Sequence, residues 1–444
     1  MSSSIKVKKS TMVRPSKETP KGSLWLSKLD MIIRQPYSHT NVLHLYTKAF
    51  DTEVFEEALS RALVPFYPLA GRLKFNDDNG RYEIDCNAKG VLFLEAESTE
   101  ALADFGDYLS PDPQLMKGLF PTCDYSGGVS SFPILLVQLT RFKCGSVCLG
   151  FATHHHVCDG SSHYHFVNSW ARLVRGLDLD VYPVHDRVAY LAPRDPPQVK
   201  FRHLEYEPSI PPLAPKGLSG EMVTTTECIF KLTKDQVNIL KLQATSQEQE
   251  VTNYKLSTFE IQAGHMWRSV CKARGLANDQ DVKLYITANG RSRLKEMAIP
   301  QGYCGNILFH ATCVEKAGDV TCKPLWYVAS KIHEAIKKLD DIEYLKSAID
   351  YVESHPNLLD IVHGPQTYTS PNFSINSWAR LPCHEADFGL GEPIFTGING
   401  LKFEGQTCIT PCSTGDGSFS VTIKLFTSHM KAFKEYFYKI SSKL

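Results

Sequence analysis

The stretch Phe151-Ala152-Thr153-His154-His155-His156-Val157-Cys158-Asp159-Gly160 decides how the rest of the chain is interpreted. It follows a short apolar run, Ser146 to Phe151, which predicts a buried strand. It precedes a helical pattern from Ser161 to Arg175 that has one apolar face. The histidines therefore lie where a strand ends and a helix has not yet begun. Adjacent strand residues point to opposite faces, so His154 and His156 are expected to share a face that His155 does not.

In the sequence His155-x-x-x-Asp159-Gly160, a histidine that can act as an acid–base group stands four residues before an aspartate. Imidazole, with an ordinary pKa of about 6.5, can take and return a proton near neutral pH. Asp159 can hold backbone N–H groups or an arginine, and Gly160 is expected to allow a sharp turn. The same spacing also fits a buried histidine whose nitrogens are hydrogen-bonded within the protein, followed by a helix-capping aspartate. Three histidines also allow a metal site, although no further ligand follows at a recognisable spacing.

Length and composition bound the fold and exclude several classes of function. A chain of 444 residues with 43% hydrophobic residues is expected to form two or three domains with sizeable cores. Lys+Arg and Asp+Glu both total 48, so the overall charge favours neither nucleic acid nor membrane as a partner. The N-terminus does not resemble a signal peptide, and the apolar runs are too short to span a bilayer. The 13 cysteines lack paired spacing, which favours reduced thiols and a cytoplasmic location.

A proline-rich stretch divides the chain into two halves. The prolines between residues 181 and 215 predict an extended crossover. We therefore predict an N-terminal domain over residues 1–180 with the histidines, a crossover over 181–222 and a C-terminal domain over 223–444. Residues 370–395 are expected to pack back on the first domain. Strand and helix patterns alternate in both halves, which predicts an α/β or α+β protein with mixed sheets flanked by helices.

Three further stretches carry patterns with possible chemistry. Asn289-Gly290-Arg291-Ser292-Arg293 follows a predicted strand and can cradle phosphates, although a solvated basic turn has the same pattern. The capping box Ser257-Thr258-Phe259-Glu260, beside Lys255, begins a helix whose free N–H groups offer a second anion site. Asp387-Phe388-Gly389-Leu390-Gly391 predicts a rigid turn, and none of the other kinase motifs accompanies its D-F-G.

Taken together, these stretches resemble the plant BAHD acyltransferases over essentially the full length of the chain. His155 to Gly160 looks like the family's H-x-x-x-D-G, and Asp387 to Gly391 looks like its D-F-G-W-G with Leu390 in place of the tryptophan. Two more blocks, Ala62 to Leu73 and Gly302 to Asn306, stand in the family's order. The chain is most similar to the hydroxycinnamoyl/benzoyl-CoA transferase branch, and within it to the anthranilate N-hydroxycinnamoyl/benzoyltransferases.

The resemblance implies two chloramphenicol-acetyltransferase-like domains with an active-site channel between them. A hydroxycinnamoyl or benzoyl group would pass from CoA to the amine or hydroxyl of a small acceptor. Acyl-CoA would be a co-substrate, with no bound cofactor, no metal and a monomeric protein. His155 would act as general base on the acceptor. Asp387 is grouped with His155 as a catalytic residue. Asp387 and Asp159 are also each expected to hold a loop in place through an ion pair with an arginine. For Asp159, the expected partner is Arg291 or Arg293.

The resemblance also implies which residues contact the substrates. The CoA side would comprise Lys255, Ser257, Thr258, Arg291, Ser292 and Arg293. The acceptor or acyl group would be bound by His39, Thr40, His363, Asn376 and Trp378. The structural positions of the two motifs would be Asp159, Gly160, Phe388, Gly389 and Gly391.

One substitution at the implied acceptor site narrows the choice of acceptor. His363 stands where shikimate and quinate transferases carry an arginine that grips the acceptor carboxylate. A histidine offers no such fork and is mostly neutral at pH 7. This puts shikimate and quinate in doubt as acceptors, and the resemblance implies anthranilate instead, with malate and polyamines as alternatives. An inactive acyl-CoA-binding homologue and a metal hydrolase are the competing classes.

Overall fold

The computed structural model describes residues 5–33, 36–48, 51–105, 115–213, 224–245, 254–398, 400–413 and 415–440. The strands are β1 (Ile5–Val13), β2 (Ser23–Trp25), β3 (His39–Tyr46), β4 (Arg72–Asn76), β5 (Arg81–Asp85), β6 (Val91–Ser98), β7 (Leu135–Arg141), β8 (Val147–His154), β9 (Thr225–Leu232), β10 (Asp281–Asn289), β11 (Leu308–Lys316), β12 (Phe373–Ser377), β13 (Phe395–Ile398), β14 (Gln406–Pro411) and β15 (Phe419–Phe426). The helices are α1 (Lys28–Ile32), α2 (Thr52–Ala62), α3 (Gly160–Val174), α4 (Val188–Leu191), α5 (Lys234–Thr245), α6 (Thr258–Arg274), α7 (Ala317–Cys322), α8 (Leu325–Lys338), α9 (Ile342–Ser354), α10 (Pro365–Tyr368) and α11 (Thr427–Tyr438). Within these ranges no helix has both the length and the apolar character needed to cross a membrane.

The first large sheet is built mainly by the N-terminal half. Its strand order is β1-β6-β7-β8-β3-β13, and only the β6–β7 pair is parallel. Val147, Leu149 and Phe151 of β8 share a core with the apolar residues of α3, including Phe166 and Trp170. The strand and the helix predicted on either side of the histidines are therefore present, with bounds one to three residues from the predicted ones.

The second large sheet is built by the C-terminal half. Its order is β11-β10-β12-β14-β15-β9, with parallel pairs β10–β12 and β12–β14. It shares a second core with α6 and α8, in which Trp267 and Ile332 are fully buried. A three-stranded sheet, β2-β5-β4, completes the described strands. Mixed sheets flanked by helices confirm the predicted α/β fold class.

The chain returns from the second half to the first near residue 378. β12 belongs to the second sheet, but Trp378, Cys383 and Phe388 pack in the first core, and β13 pairs antiparallel with β3. This return brings Asn376 and Trp378 beside the strands that lead to His155. Whether the three predicted ranges are separate folding units stays a prediction, and residues 214–222 of the crossover lie outside the described residues.

Candidate active site

Three neighbouring cavities lie in a row, the first two of them between the large sheets. The first chamber is lined by residues of β3, β8 and α3 and by Asn289 and Trp378. The second chamber includes His310 and His363 in its lining. The third chamber lies against crossover residues 205–212. The first two chambers share five lining residues, and the second and third share His363, an arrangement that fits the predicted channel.

His155 lies at the boundary between the first two chambers. It lines both of them, as do Thr287, Leu308, Asn376 and Ile398. It directly follows β8, and its side chain is half-buried, whereas the side chains on either side of it are buried. The predicted alternation of faces is therefore present. An imidazole that can be reached from two chambers can exchange a proton with substrates that arrive from either side.

The two neighbouring histidines are buried, and neither lines any of the three chambers. His154 Nε2 lies 2.6 Å from the carbonyl oxygen of Pro36, and its Nδ1 accepts the backbone N–H of His156 at 3.3 Å. Burial lowers the pKa of His154 well below its ordinary value, so its ring is neutral at pH 7. Across the described ranges, no three His, Cys, Asp or Glu side chains are grouped to hold a metal ion. The structure thus offers no support for the metal alternative.

The turn that carries His155 is fixed by hydrogen bonds from outside the motif. Asn306 Nδ2 donates to the His155 carbonyl oxygen at 2.8 Å and to Asp30 Oδ1 at 2.8 Å. Arg187, on the crossover, donates to the carbonyl oxygen of Val157 at 2.8 Å. Asp30 and Arg187 are almost fully buried. In the sequence, Asn306 is visible only as part of a family-like block, and Arg187 stands in no recognisable motif. Asp30 completes the capping box of α1 with Ser27, which gives no sign of its contact with Asn306.

Asp159 forms a buried ion pair with Arg291. Arg291 donates to both carboxylate oxygens, at 2.6 and 3.0 Å, and the backbone N–H groups of Ser162 and Ile307 donate to the same carboxylate. Burial alone raises the pKa of Asp159, but the Arg291 charge and these hydrogen bonds outweigh it, so the pKa lies below its usual value. Asp159 is also the N-cap of α3. Of the two arginines expected as its partner, Arg291 makes the pair.

Gly160 has a different role from the one expected. It is the first residue of α3 and does not adopt a positive φ, so no sharp turn requires a glycine here. A Cβ at this position would lie 2.8 Å from Leu381 Cδ1. The glycine therefore allows the return segment to approach the start of α3 at the wall of the first chamber.

The second motif lies away from the chambers. Asp387 lines none of them, so its grouping with the catalytic residues stays a prediction that the chambers do not support. Its Oδ1 accepts the N–H groups of Gly389 and Gly391, whose positive φ of 96° and 92° favours glycine. Its Oδ2 lies 3.5 Å from Arg175, and both side chains are about one-third exposed, at 32% and 31%. Asp387 thus pairs with an arginine, as expected, but the pair is partly exposed.

The hydrophobic part of the second motif packs in the first core. The Phe388 ring contacts those of Phe55 and Trp170, with centroids 4.8 and 5.2 Å apart. Leu390, which replaces the family's tryptophan, is partly buried and packs against the same core. The motif therefore contributes apolar side chains to the first core.

The acceptor-side candidates divide between the chambers. Thr40 and Trp378 line the first chamber, His363 lines the second and third, and Asn376 lines the first and second. His39 lines none of the three, so its assignment as a substrate contact stays a prediction that the chambers do not support. Its ring nitrogens lie 2.8 Å from the Tyr125 hydroxyl and 2.9 Å from the carbonyl oxygen of Pro133. Because side chains alternate along β3, Thr40 faces the chamber and His39 faces away from it.

Two chamber histidines were missed by the sequence analysis. His163, on α3, lines the first chamber, and His310, on β11, lines the second. Burial lowers the pKa of His163 to about 3 and that of His310 well below its ordinary value, so both are neutral at pH 7. The alternation along β11 places His310 on the same face as Leu308 and was visible in the sequence. The sequence did not show that this face borders a cavity.

The CoA-side candidates lie around the end of α8. Ser257 caps α6 in the predicted capping box, beside the exposed Lys255, and Thr258 is the first residue of α6. His333 of α8 lies 2.9 Å from Glu260 in the first turn of α6, and Arg293 pairs with Asp340 beyond the end of α8. Helix α8 thus brings both predicted anion sites to one side of the molecule.

The contacts of Arg291 do not support its predicted role as a phosphate contact. Its Nη atoms donate to Asp159 and to the carbonyl oxygens of Gly305 and Tyr303. The guanidinium group of Arg291 is therefore already bound by groups of the protein. Ser292 is exposed beside it, and Arg293 is partly exposed. An open groove nearby is lined by Tyr254, His333, Glu334, Lys337 and Lys338, of which none was among the candidates.

Comparisons with known proteins identify the family. A model of the Transferase family matches residues 3–440. Anthranilate N-benzoyltransferase protein 2 of Dianthus caryophyllus is 49% identical over 450 residues, covering 98% of this chain and 99% of that protein. Shikimate O-hydroxycinnamoyltransferase of Nicotiana tabacum is 48% identical, with coverage of 98% and 99%. The chain belongs to the BAHD acyltransferase family. The resemblance seen in the sequence is thereby confirmed, and the protein is an acyltransferase that uses a CoA thioester as co-substrate.

A solved structure supports the fold of this BAHD acyltransferase. TRI101 of F. sporotrichioides, in complex with coenzyme A and T-2, matches with a TM-score of 0.74 at 18% identity. The match covers 93% of this chain and 97% of that one. At this identity the match shows the fold alone. The two-sheet architecture is therefore shared with this solved structure.

Proposed function

We propose that this enzyme moves a benzoyl or hydroxycinnamoyl group from CoA to the amine of a small aromatic acid such as anthranilate. The observation that carries the proposal is the position of His155 at the boundary of two chambers. One chamber can hold the thioester and the other the acceptor. Two relatives that are 49% and 48% identical to this chain are named as an anthranilate N-benzoyltransferase and as a shikimate O-hydroxycinnamoyltransferase.

His155 is proposed as the general base of the reaction. The acceptor nitrogen attacks the thioester carbonyl carbon and forms the C–N bond. His155 takes the proton from that nitrogen, the tetrahedral intermediate collapses, and the C–S bond breaks. The proton then passes from His155 to the departing CoA thiolate. The products are the amide and CoA, and the imidazole returns to its neutral state.

The negative charge on the tetrahedral intermediate needs hydrogen-bond donors near His155. Asn376 lines both chambers and has an amide that can donate. The Thr40 hydroxyl is buried at the first chamber and has no hydrogen-bond partner among the described residues. These two groups are the proposed donors to the oxyanion. Trp378 closes the same chamber and shapes the space for the acyl group.

CoA is proposed to reach His155 through the first chamber. Asn289 lines this chamber and leads directly into the turn with Ser292 and Arg293. The start of α6, with Lys255 and Ser257, lies on the same side of the molecule. Its N–H groups and the lysine charge suit the phosphates. The open groove beside α8 then offers a place for the nucleotide.

The test is an assay of thiol release with benzoyl-CoA or p-coumaroyl-CoA as donor and a panel of acceptors. The panel contains anthranilate, shikimate, quinate, malate and spermidine, and mass spectrometry identifies each product. An amide of anthranilate as the dominant product is the expected result. A dominant shikimate ester contradicts the proposed acceptor, and the absence of thiol release with every pair contradicts the proposed function. The expected monomeric state and cytoplasmic location stay predictions, which sedimentation and a fluorescent fusion test.

A further inference from the structure

Two side chains from distant parts of the chain hold the turn that carries His155. Asn306 Nδ2 donates to the carbonyl oxygen of His155, and Arg187 Nη2 donates to the carbonyl oxygen of Val157, each at 2.8 Å. Asn306 stands just before β11 and Arg187 on the crossover. Their exposed fractions are 0% and 2%. The backbone of the turn is therefore fixed at two points, one on each side of residue 156.

The carboxylate of Asp30 contacts both of these side chains. Its Oδ1 accepts the backbone N–H and the side-chain amide of Asn306, at 3.0 and 2.8 Å. Its Oδ2 lies 3.6 Å from Arg187 Nε and accepts the backbone N–H and the hydroxyl of Ser27, at 2.9 and 2.8 Å. Asp30 is 0% exposed. One buried group thus sets the distance between the two side chains that hold the turn.

The position of Asp30 is fixed by helix α1. Ser27 caps this helix, and Asp30 completes its capping box. Lys28, the first residue of α1, donates its backbone N–H to Glu353 of α9 at 2.6 Å. Its Nζ donates to the carbonyl oxygens of Glu353 and His355, at 2.7 and 2.9 Å. Helix α1 is therefore attached to the second half of the molecule, whereas the turn that it reaches follows β8 of the first sheet.

The contacts at Asp30 require a carboxylate. Four N–H or O–H donors and one guanidinium converge on its two oxygens, and a carboxylate offers two acceptors and no donor. The capping box of α1 uses only the bonds with Ser27. A buried ion pair is weak evidence for stability, since apolar side chains of similar volume are often as stable. The remaining contacts, with Asn306 and Arg187, therefore indicate a role in holding the turn.

We propose that Asp30 is a positioning residue for the transfer reaction. Through Asn306 and Arg187 it sets where the imidazole of His155 stands between the first two chambers. The inference rests on the proposed function, in which His155 is the general base. Asp30 is not among the described lining residues of the three chambers, so it acts without contacting substrate. Misplacement of a catalytic group by about 1 Å can lower the rate about a hundredfold, so the effect of Asp30 falls on kcat.

The test variant is Asp30→Asn, which keeps the shape of the side chain and replaces one acceptor oxygen by a donor. The matched control is Asp350→Asn. Asp350, on α9, is 1% exposed and accepts the backbone N–H and Nε–H of the crossover residue Arg194, at 2.8 and 2.6 Å. It is not among the described lining residues of the chambers. Both variants thus remove an acceptor from a buried carboxylate beside a crossover arginine, and only one of them reaches the turn.

The first measurement is the steady-state rate of thiol release by the full-length protein, with the donor and acceptor pair that reacts fastest in the panel. In Asp30→Asn, kcat should fall about tenfold to a hundredfold while the KM for acyl-CoA stays within about twofold. Asp350→Asn should keep kcat within about twofold of the wild type. In the double variant Asp30→Asn/Asn306→Ala, the fall should be much smaller than the product of the two single effects, because both changes release the same carbonyl group.

The second measurement does not depend on turnover. In protein labelled with ¹³C at histidine Cε1, the NMR signal of His155 is identified by its loss in His155→Ala. This signal should move in the same direction in Asp30→Asn and Asn306→Ala and stay in place in Asp350→Asn. Ser27→Ala, which removes one of the four hydrogen bonds to Asp30, is the milder variant if Asp30→Asn does not fold. It should lower kcat about two- to fivefold and move the signal in the same direction.

Three results would overturn the positioning role of Asp30. They are an unchanged kcat and signal in folded Asp30→Asn or Ser27→Ala, an equal fall in kcat in Asp30→Asn and Asp350→Asn, and a double variant whose fall equals the product of the single effects. Absence of thiol release by the wild type with every pair, together with the expected movement of the His155 signal, would contradict the proposed function and support the positioning role. Turnover by the wild type that Asp30→Asn leaves unchanged would do the reverse.

Discussion

Replacement of Asp159 by alanine is expected to destabilise the protein strongly. The carboxylate is fully buried and accepts hydrogen bonds from Arg291 and from the backbone N–H groups of Ser162 and Ile307. The alanine variant would leave a guanidinium with 15% side-chain exposure without its counter-ion. It would also remove the cap of α3, the helix that follows His155.

The size of the effect follows from these contacts. Removal of one partner of a buried ion pair costs about 3–5 kcal/mol, and loss of a helix cap costs about 1 kcal/mol. Asp159→Ala should therefore lower the free energy of unfolding by about 4–6 kcal/mol. This is a large part of the total stability of an ordinary protein, about 5–15 kcal/mol.

Asp387→Ala is the matched comparison, because it also removes an aspartate paired with an arginine. That pair is about one-third exposed, so the ion pair itself contributes at most about 1 kcal/mol. The two hydrogen bonds from Gly389 and Gly391 add about 1 kcal/mol each. The expected loss is about 1–3 kcal/mol, well below that of Asp159→Ala.

The assay is urea unfolding followed by intrinsic fluorescence, with midpoints compared among the wild type, Asp159→Ala, Asp387→Ala, Arg291→Leu and the double variant Asp159→Ala/Arg291→Leu. The double variant should be more stable than the sum of the single losses predicts, because no charge is stranded. Because folding lowers the pKa of Asp159, its contribution is fully present above the unfolded value of about 3.9. It is lost as pH falls through the folded value. Equal midpoint shifts for Asp159→Ala and Asp387→Ala would refute this reasoning.

Three further substitutions test other parts of the account. Asn306→Ala removes the donor to the His155 carbonyl oxygen. We expect kcat to fall about tenfold to a hundredfold while the KM for acyl-CoA is unchanged. An unchanged kcat in steady-state assays would contradict the positioning role of Asn306. Lys255→Ala should raise the KM for acyl-CoA about three- to tenfold, with a smaller effect on acyl-pantetheine, and equal effects on both donors would remove it from the nucleotide site. Gly389→Ala forces a side chain into φ 96° and should cost about 1–2 kcal/mol in the same unfolding assay, with kcat retained.

The local patterns of the sequence predicted much of the fold. The apolar run before the histidines is β8, the amphipathic pattern after them is α3, and Ser257 caps α6 as its capping box indicated. These features depend on neighbouring residues, so their periods and caps are visible in one sequence. The return of β13 to the first sheet depends on pairing with a strand about 350 residues away, which a local pattern does not show.

The site was predicted in part for the same reason. His155 and Asp159 stand in one short motif, and the alternation of faces correctly separated His155 from its neighbours. His39 was assigned from resemblance, but its position on β3 turns it away from the chamber that Thr40 faces. Arg291 was assigned to phosphate because its charge was visible and its buried partner was not. His310 was missed because only the assembled sheets show that its strand borders a cavity.

The central claim is that His155 transfers the proton between acceptor and CoA. The most direct measurement compares the single-turnover rate of wild type and His155→Ala with benzoyl-CoA and anthranilate, together with binding of the CoA ester to the same samples. The rate of His155→Ala should fall by about 10²–10⁴-fold while binding of the CoA ester is retained. The rate of His163→Gln, which alters another imidazole of the first chamber, should fall less. A His155→Ala rate within a few-fold of the wild-type rate, with CoA-ester binding intact, would contradict the account.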